Sequence, residues 1–143
     1  MGGVFLAFST FVMPALARLD TPDGVRAMQH INRAAPTPWF MVPLFGTATA
    51  GLVLAARSVR RLDESDARAQ TFGAGLYLAA IILTVAYHVP RNDDLALLDP
   101  LGPDATSAWR EYQNGWNSAN HLRALLCLGA AASWTVASVH AAE

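Results

Sequence analysis

Four stretches of this chain hold no charged side chain: residues 1–17, 34–56, 69–90 and 124–142, which are 17, 23, 22 and 19 residues long. A helix needs roughly 20 apolar residues to cross the hydrocarbon core of a bilayer. Nearly all the Arg, Asp and Glu residues fall between these stretches. A water-soluble bundle would instead place a charge every few residues along the outer face of each helix. Small residues recur inside the stretches (Gly46, Gly51, Gly73, Gly75, Gly129 and Ala130 to Ala132). They let membrane helices approach closely, whereas in a soluble helix interior each glycine costs about 1 kcal/mol relative to alanine. The pattern predicts an all-α integral membrane protein: one domain over 1–143, an antiparallel four-helix bundle spanning roughly 2–18, 37–57, 69–89 and 119–140. Short interfacial helices are expected in the first and third connections.

The first stretch lacks a positive start, and the run from Pro14 to Arg18 resembles a cleavage site only faintly, so it reads as a true first helix rather than a signal peptide. Four spans place both termini on one side with the second connection, where Arg57, Arg60, Arg61 and Arg68 cluster. That cluster favours a cytoplasmic second connection and cytoplasmic termini in a bacterial membrane. The other side carries six arginines, spread over two longer segments.

The first connection reads as a helix from Asp20 to Arg33, with Thr21 as N-cap, Pro22 in the first turn and Asp23 on the positive end of the dipole. Val25, Met28 and Ile31 form its apolar side. The third connection begins with a turn at Pro90-Arg91-Asn92-Asp93-Asp94, and from Asp104 an amphipathic pattern returns. Trp109, Tyr112 and Trp116 share one face, Arg110, Asn114, Asn117 and His121 form a stripe beside it, and Gly115 is a candidate bend. Asn120, His121 and Arg123 then meet at the mouth of the last span. Aromatic rings and snorkelling arginines are common at headgroup level, but polar groups at depth are costly and mark function.

Composition narrows the chemistry. Net charge is −1 and no basic field exists, so nucleic acid is not an expected partner. All ten cations are arginine, which removes lysine Schiff-base and P-loop chemistry, and the single Cys127 removes internal disulfides and CxxC sites.

Four motifs, in order along the chain, resemble the anthrone oxygenase-like family of small membrane proteins. They are the run from Phe5 to Leu16, Met28-Gln29-His30-Ile31-Asn32-Arg33, His88-Val89-Pro90-Arg91-Asn92, and the run from Trp116 to Arg123. The chain departs from the family pattern at His88, where asparagine is usual, and at Arg91, where an apolar residue is usual. The resemblance implies a four-span bundle and, in some fungal members, oxidation of an anthrone to an anthraquinone by dioxygen. Such a substrate gives an electron-rich enolate on losing a methylene proton, so no cofactor is expected. What that reaction requires is a base, a cradle for the enolate oxygen and a dry aromatic slot. On this reading His121 is the base, and Arg123 and Asn120 hold the oxyanion. Trp109, Tyr112 and Trp116 line the slot with Asn117, and Gln29, Asn32, His88 and Asn92 approach from facing segments.

Two rivals stand beside it. A metal or haem held by His30, His88 and His121 fits the shared side of the membrane, though no local histidine pair exists. A non-catalytic membrane protein binding a lipid, quinone or partner span fits the apolar composition equally well. Small-residue faces leave room for self-association.

Overall fold

The structure, a computed structural model, describes residues 1–140. Among them are five helices and no strand: α1 (Gly2–Leu16), α2 (Thr21–Ala34), α3 (Pro38–Arg61), α4 (Ser65–Leu97) and α5 (Ala105–His140). Three of these, α3, α4 and α5, are long and apolar enough to cross a membrane. Their outer faces carry large apolar side chains with nothing over them, including Trp39 at 91% exposure and Phe72, Ile82 and Leu125 above 60%. No aqueous surface tolerates so continuous an apolar belt. The protein is an integral membrane helical bundle.

The central member is α5. Along nearly its whole length α4 packs antiparallel, with Gly73 against Trp134 at one end and Gly115 against Tyr87 at the other. On α5 also lies α1, again antiparallel, from Gly2 beside Leu128 to Leu16 near the Gly24–Trp109 contact. Gly2 therefore sits beside the middle of α5, not at the end marked by His140. At ~22 Å, α1 is shorter than the ~30 Å hydrocarbon core. Beside α4, α3 is held by Tyr77, whose hydroxyl donates to the Leu44 carbonyl at 3.1 Å, and α3 also reaches α1 through Phe40 on Phe5 and α5 through Gly51 on Trp134.

The third connection differs from expectation. No turn leaves the membrane at Pro90; α4 continues to Leu97, and α5 runs as one helix of 36 residues with no separate interfacial helix before it. Proline inside a helix removes a donor and presses its ring on the carbonyl four residues back. Here a wide π-type turn, Thr84–His88, precedes Pro90 and is closed by the Val89 N–H donating to the Thr84 carbonyl. It relieves the clash and lets the helix go on. The same device recurs in α1, where the turn Phe8–Val12 precedes Pro14 at the same spacing and the Met13 N–H donates to the Phe8 carbonyl. Nor does Gly115 bend α5. A Cβ there would lie 2.7 Å from the Tyr87 hydroxyl, so glycine admits that side chain instead.

The first connection does hold the expected helix, capped by Asp20 rather than Thr21 and without a side-chain capping bond. It does not lie flat on a surface. Val25 and Met28 are wholly buried among Met13, Leu16, Leu95 and Trp109, and burying such side chains stabilises by about 1.5–3 kcal/mol each. Thus α2 braces the parts of α4 and α5 that extend beyond the apolar belt.

Candidate functional site

The two π-type turns flank one segment of α5, and between them lies a buried guanidinium. Arg123 is only 6% exposed. Its Nε and Nη2 donate to the Asn120 side-chain oxygen at 3.1 and 2.6 Å, and Nη1 donates to the Thr84 hydroxyl at 3.2 Å. The guanidinium carbon lies 4.0 Å from the centre of the Phe5 ring and 5.6 Å from that of Trp116. No carboxylate pairs with it among the described residues. An arginine at the centre of a membrane helix costs about 2.5–3.5 kcal/mol even after relaxation. Hydrogen bonds and two cation–π contacts, each about 2 kcal/mol when dry, offset that cost. They do so without cancelling the charge, and two of the five guanidinium N–H groups remain unused.

Asn120 is the frame of this centre. Fully buried, it donates to the Phe5 carbonyl at 2.7 Å and the Ser9 hydroxyl at 2.8 Å while its oxygen receives Arg123. It thereby ties α1 to α5. From α4 comes His88, 1% exposed, standing edge-on to Trp116 with ring centres 5.2 Å apart. Its Nδ1 lies 3.2 Å from the Leu83 carbonyl. A carbonyl can only accept, which assigns the proton to Nδ1 and leaves Nε2 as a bare lone pair. That Nε2 is buried and makes no hydrogen bond of normal geometry, although the Trp116 backbone carbonyl lies close to the ring. Buried polar atoms are rarely left so.

The other sequence candidates fall in two further places. Trp109, Tyr112 and Trp116 do share a buried face, with successive ring centres 5.6 and 6.4 Å apart. Their outer part is filled rather than open. The Asn92 side-chain oxygen accepts from the Tyr112 hydroxyl and from Trp116 Nε1, both at 2.9 Å. Asn32 donates to the Tyr112 hydroxyl at 3.4 Å, and Gln29 donates to the Leu95 and Leu98 carbonyls at 2.9 and 3.0 Å. Gln29 and Asn32 therefore clamp α2 to the ends of α4 and α5, and Asn92 ties α4 to α5. Replacing Asn92 by Leu orphans two buried donors and is expected to destabilise the fold by about 2 kcal/mol, read as a lowered unfolding midpoint followed by tryptophan fluorescence.

His121 does not join Asn120 and Arg123. Its ring is exposed and its Nδ1 lies 2.7 Å from the Asn117 carbonyl. One position along a helix is a turn of about 100°, which carries it out of the face that holds its neighbours. With Asn117 it borders a groove on the outer side of the α1–α5 contact. The three histidines do not converge either: His30 is exposed and bonded to Arg33, His88 is internal, and His121 faces outward. Among the described residues no group of three metal-binding side chains is assembled.

Phe5, Ser9 and Thr84 were not singled out in the sequence. The signal for two of them was present, since Ser9 and Thr84 are hydroxyls in charge-free stretches five and six residues before a proline. Phe5 carried none.

The family model described as anthrone oxygenase matches residues 36–133. That segment contains Thr84, His88, Trp116, Asn120 and Arg123, while Phe5 and Ser9 lie outside it. No curated protein and no solved structure matches the chain. With well over half its length matched, the chain belongs to the anthrone oxygenase family.

Proposed function

We propose that this protein is a membrane oxygenase that oxidises the activated methylene of a lipophilic aromatic ketone with dioxygen, using the Arg123–His88 centre. The observation that carries the reading is a buried, carboxylate-free guanidinium and an unpartnered imidazole nitrogen against the same indole, Trp116. His88 Nε2 takes one methylene proton. The spare N–H groups of Arg123 hold the enolate oxygen, and in a dry site such donors act at full strength. The enolate carbon passes an electron to dioxygen, and the two recombine as a peroxide. That peroxide recovers the proton from His88. Loss of the second methylene proton with O–O cleavage then releases water and leaves a carbonyl. One methylene and one dioxygen thus give one ketone and one water, and no bound cofactor or metal is needed.

The lipophilic substrate and dioxygen both arrive from the bilayer. In this proposal the entry route is the gap between the two π-type turns, where α1 and α4 pack chiefly on α5 rather than on each other and Phe40 of α3 stands against Phe5. The base is His88 in place of His121, because His88 is the imidazole inside the bundle.

The test is turnover of 1,8-dihydroxyanthrone by the protein in lipid nanodiscs, read as quinone absorbance and oxygen uptake. Oxidation well above that of protein-free nanodiscs is expected, with the new carbonyl oxygen labelled by 18O2. His88→Phe, which keeps the ring packing, is expected to lower kcat about 10²-fold. Rates equal to the protein-free control would end the reading.

A further inference from the structure

Outside the centre, along the α1–α5 contact, lies an open groove of about 420 Å³, within the ~300–1,000 Å³ range of small-molecule sites. Pro14 and Ala17 stand on one wall, and Asn114, Asn117, Ser118 and His121 on the other. Its two ends differ. Arg18 follows Ala17 directly, and Arg110 stands one turn before Asn114 on the same face of α5. Both are exposed, and neither pairs with a carboxylate among the described residues. Glu111, next to Arg110, turns to Arg91 of α4 instead. Beyond the opposite end the exposed apolar belt begins, with Phe11 on α1 and Leu122 and Leu125 on α5. From Asn114 to Leu122 the helix rises ~12 Å, enough to cross the interfacial layer, which is ~5–8 Å thick on each side of the hydrocarbon core.

We propose that this groove holds one anionic phospholipid, with its phosphodiester between Arg18 and Arg110, its glycerol esters against Asn114 and Ser118, and its acyl chains along Phe11 and Leu122. Arginine keeps its charge at any physiological pH and engages phosphate oxygens through a planar fork. The exposed Asn114 amide supplies a donor for an ester carbonyl. A zwitterionic headgroup would bring its own cation against the two guanidinium groups. A free phosphate ion would be held only by two exposed charges that salt screens, and would leave the apolar end uncovered. The lipid site is independent of the reaction proposed above.

The full-length protein in phosphatidylcholine nanodiscs, titrated with phosphatidylglycerol and analysed by native mass spectrometry, tests it. One tightly retained phosphatidylglycerol per chain is expected, with at least tenfold weaker retention in Arg18→Gln and in Arg110→Gln. Both side chains are exposed, so the unfolding midpoint is expected to stay unchanged. Arg57→Gln and Arg60→Gln, in the separate arginine cluster of the second connection, are expected to retain the lipid fully. Ala17→Trp fills the groove while keeping both guanidinium groups, and is expected to abolish retention. Inorganic phosphate is expected not to displace the lipid. No saturable adduct, equal weakening by the Arg57 and Arg60 changes, undiminished retention in Ala17→Trp, or displacement by inorganic phosphate would each overturn the assignment.

Discussion

Arg123→Gln is expected to lower kcat and kcat/KM for anthrone oxidation together, by about 10²–10³-fold, the usual cost of losing a principal oxyanion donor. An equal fall in both is the mark of an interaction made in the transition state alone. Glutamine retains a donor that reaches toward Asn120, so the frame that joins α1 to α5 is not emptied, while the positive charge is gone. Arg123→Lys is expected to recover only part of the loss. An ammonium group keeps the charge but lacks the planar fork that engages Asn120, Thr84 and a ligand at once. Measurement in nanodiscs, alongside the unfolding midpoint of each variant, separates chemistry from folding. Wild-type turnover in a folded Arg123→Gln protein would remove the guanidinium from the reaction.

The largest effect on stability is expected at Gly73. A Cβ there would lie 2.8 Å from Trp134 Nε1 and 3.2 Å from the Ala130 carbonyl, so neither an indole nor a backbone can yield cheaply. Trp134 Nε1 donates to the Gln70 carbonyl at 3.2 Å, and displacement of the ring also breaks that bond. Gly73→Val is expected to cost about 3 kcal/mol through overpacking and the lost bond. Unfolding in mixed micelles followed by circular dichroism measures it. Gly75→Val is the control, because nothing lies within 4 Å of its Cβ position and the added methyls meet only lipid. A similar loss at both positions would show that glycine matters here for backbone reasons rather than for packing.

The membrane character was legible because it needs no geometry. Charge-free runs of about 20 residues are sufficient to locate spans, and α3, α4 and α5 cover three of the four. The polar side chains at Asn120 and Arg123 were legible for a related reason, since groups of that cost rarely sit in apolar helices without a task. Pro90 was read wrongly as the start of a turn, where the helix in fact continues to Leu97. A proline stops a regular helix, but a π-type turn before it removes the conflict, and whether that turn forms depends on what packs beside it. Pro43 in α3 is accommodated without one.

His121 and His88 show where such reasoning stops. Both are histidines close to the same boundary, and nothing in their neighbours along the chain says which one enters the bundle. That choice follows from the rotation of α5 about its axis, set by Trp109, Tyr112, Trp116, Asn120 and Arg123 facing inward together. Once they do, position 121 must face out. His88 is turned inward in the same way, by the extra residue that the π-type turn inserts in α4. Hydropathy is a property of each segment and survives without neighbours, so the solvent this chain lives in, its helical class and its costly polar residues are all written in residue order. Which of those residues meet is a property of helix phase and helix pairing, and it exists only after α1, α4 and α5 have closed around one another.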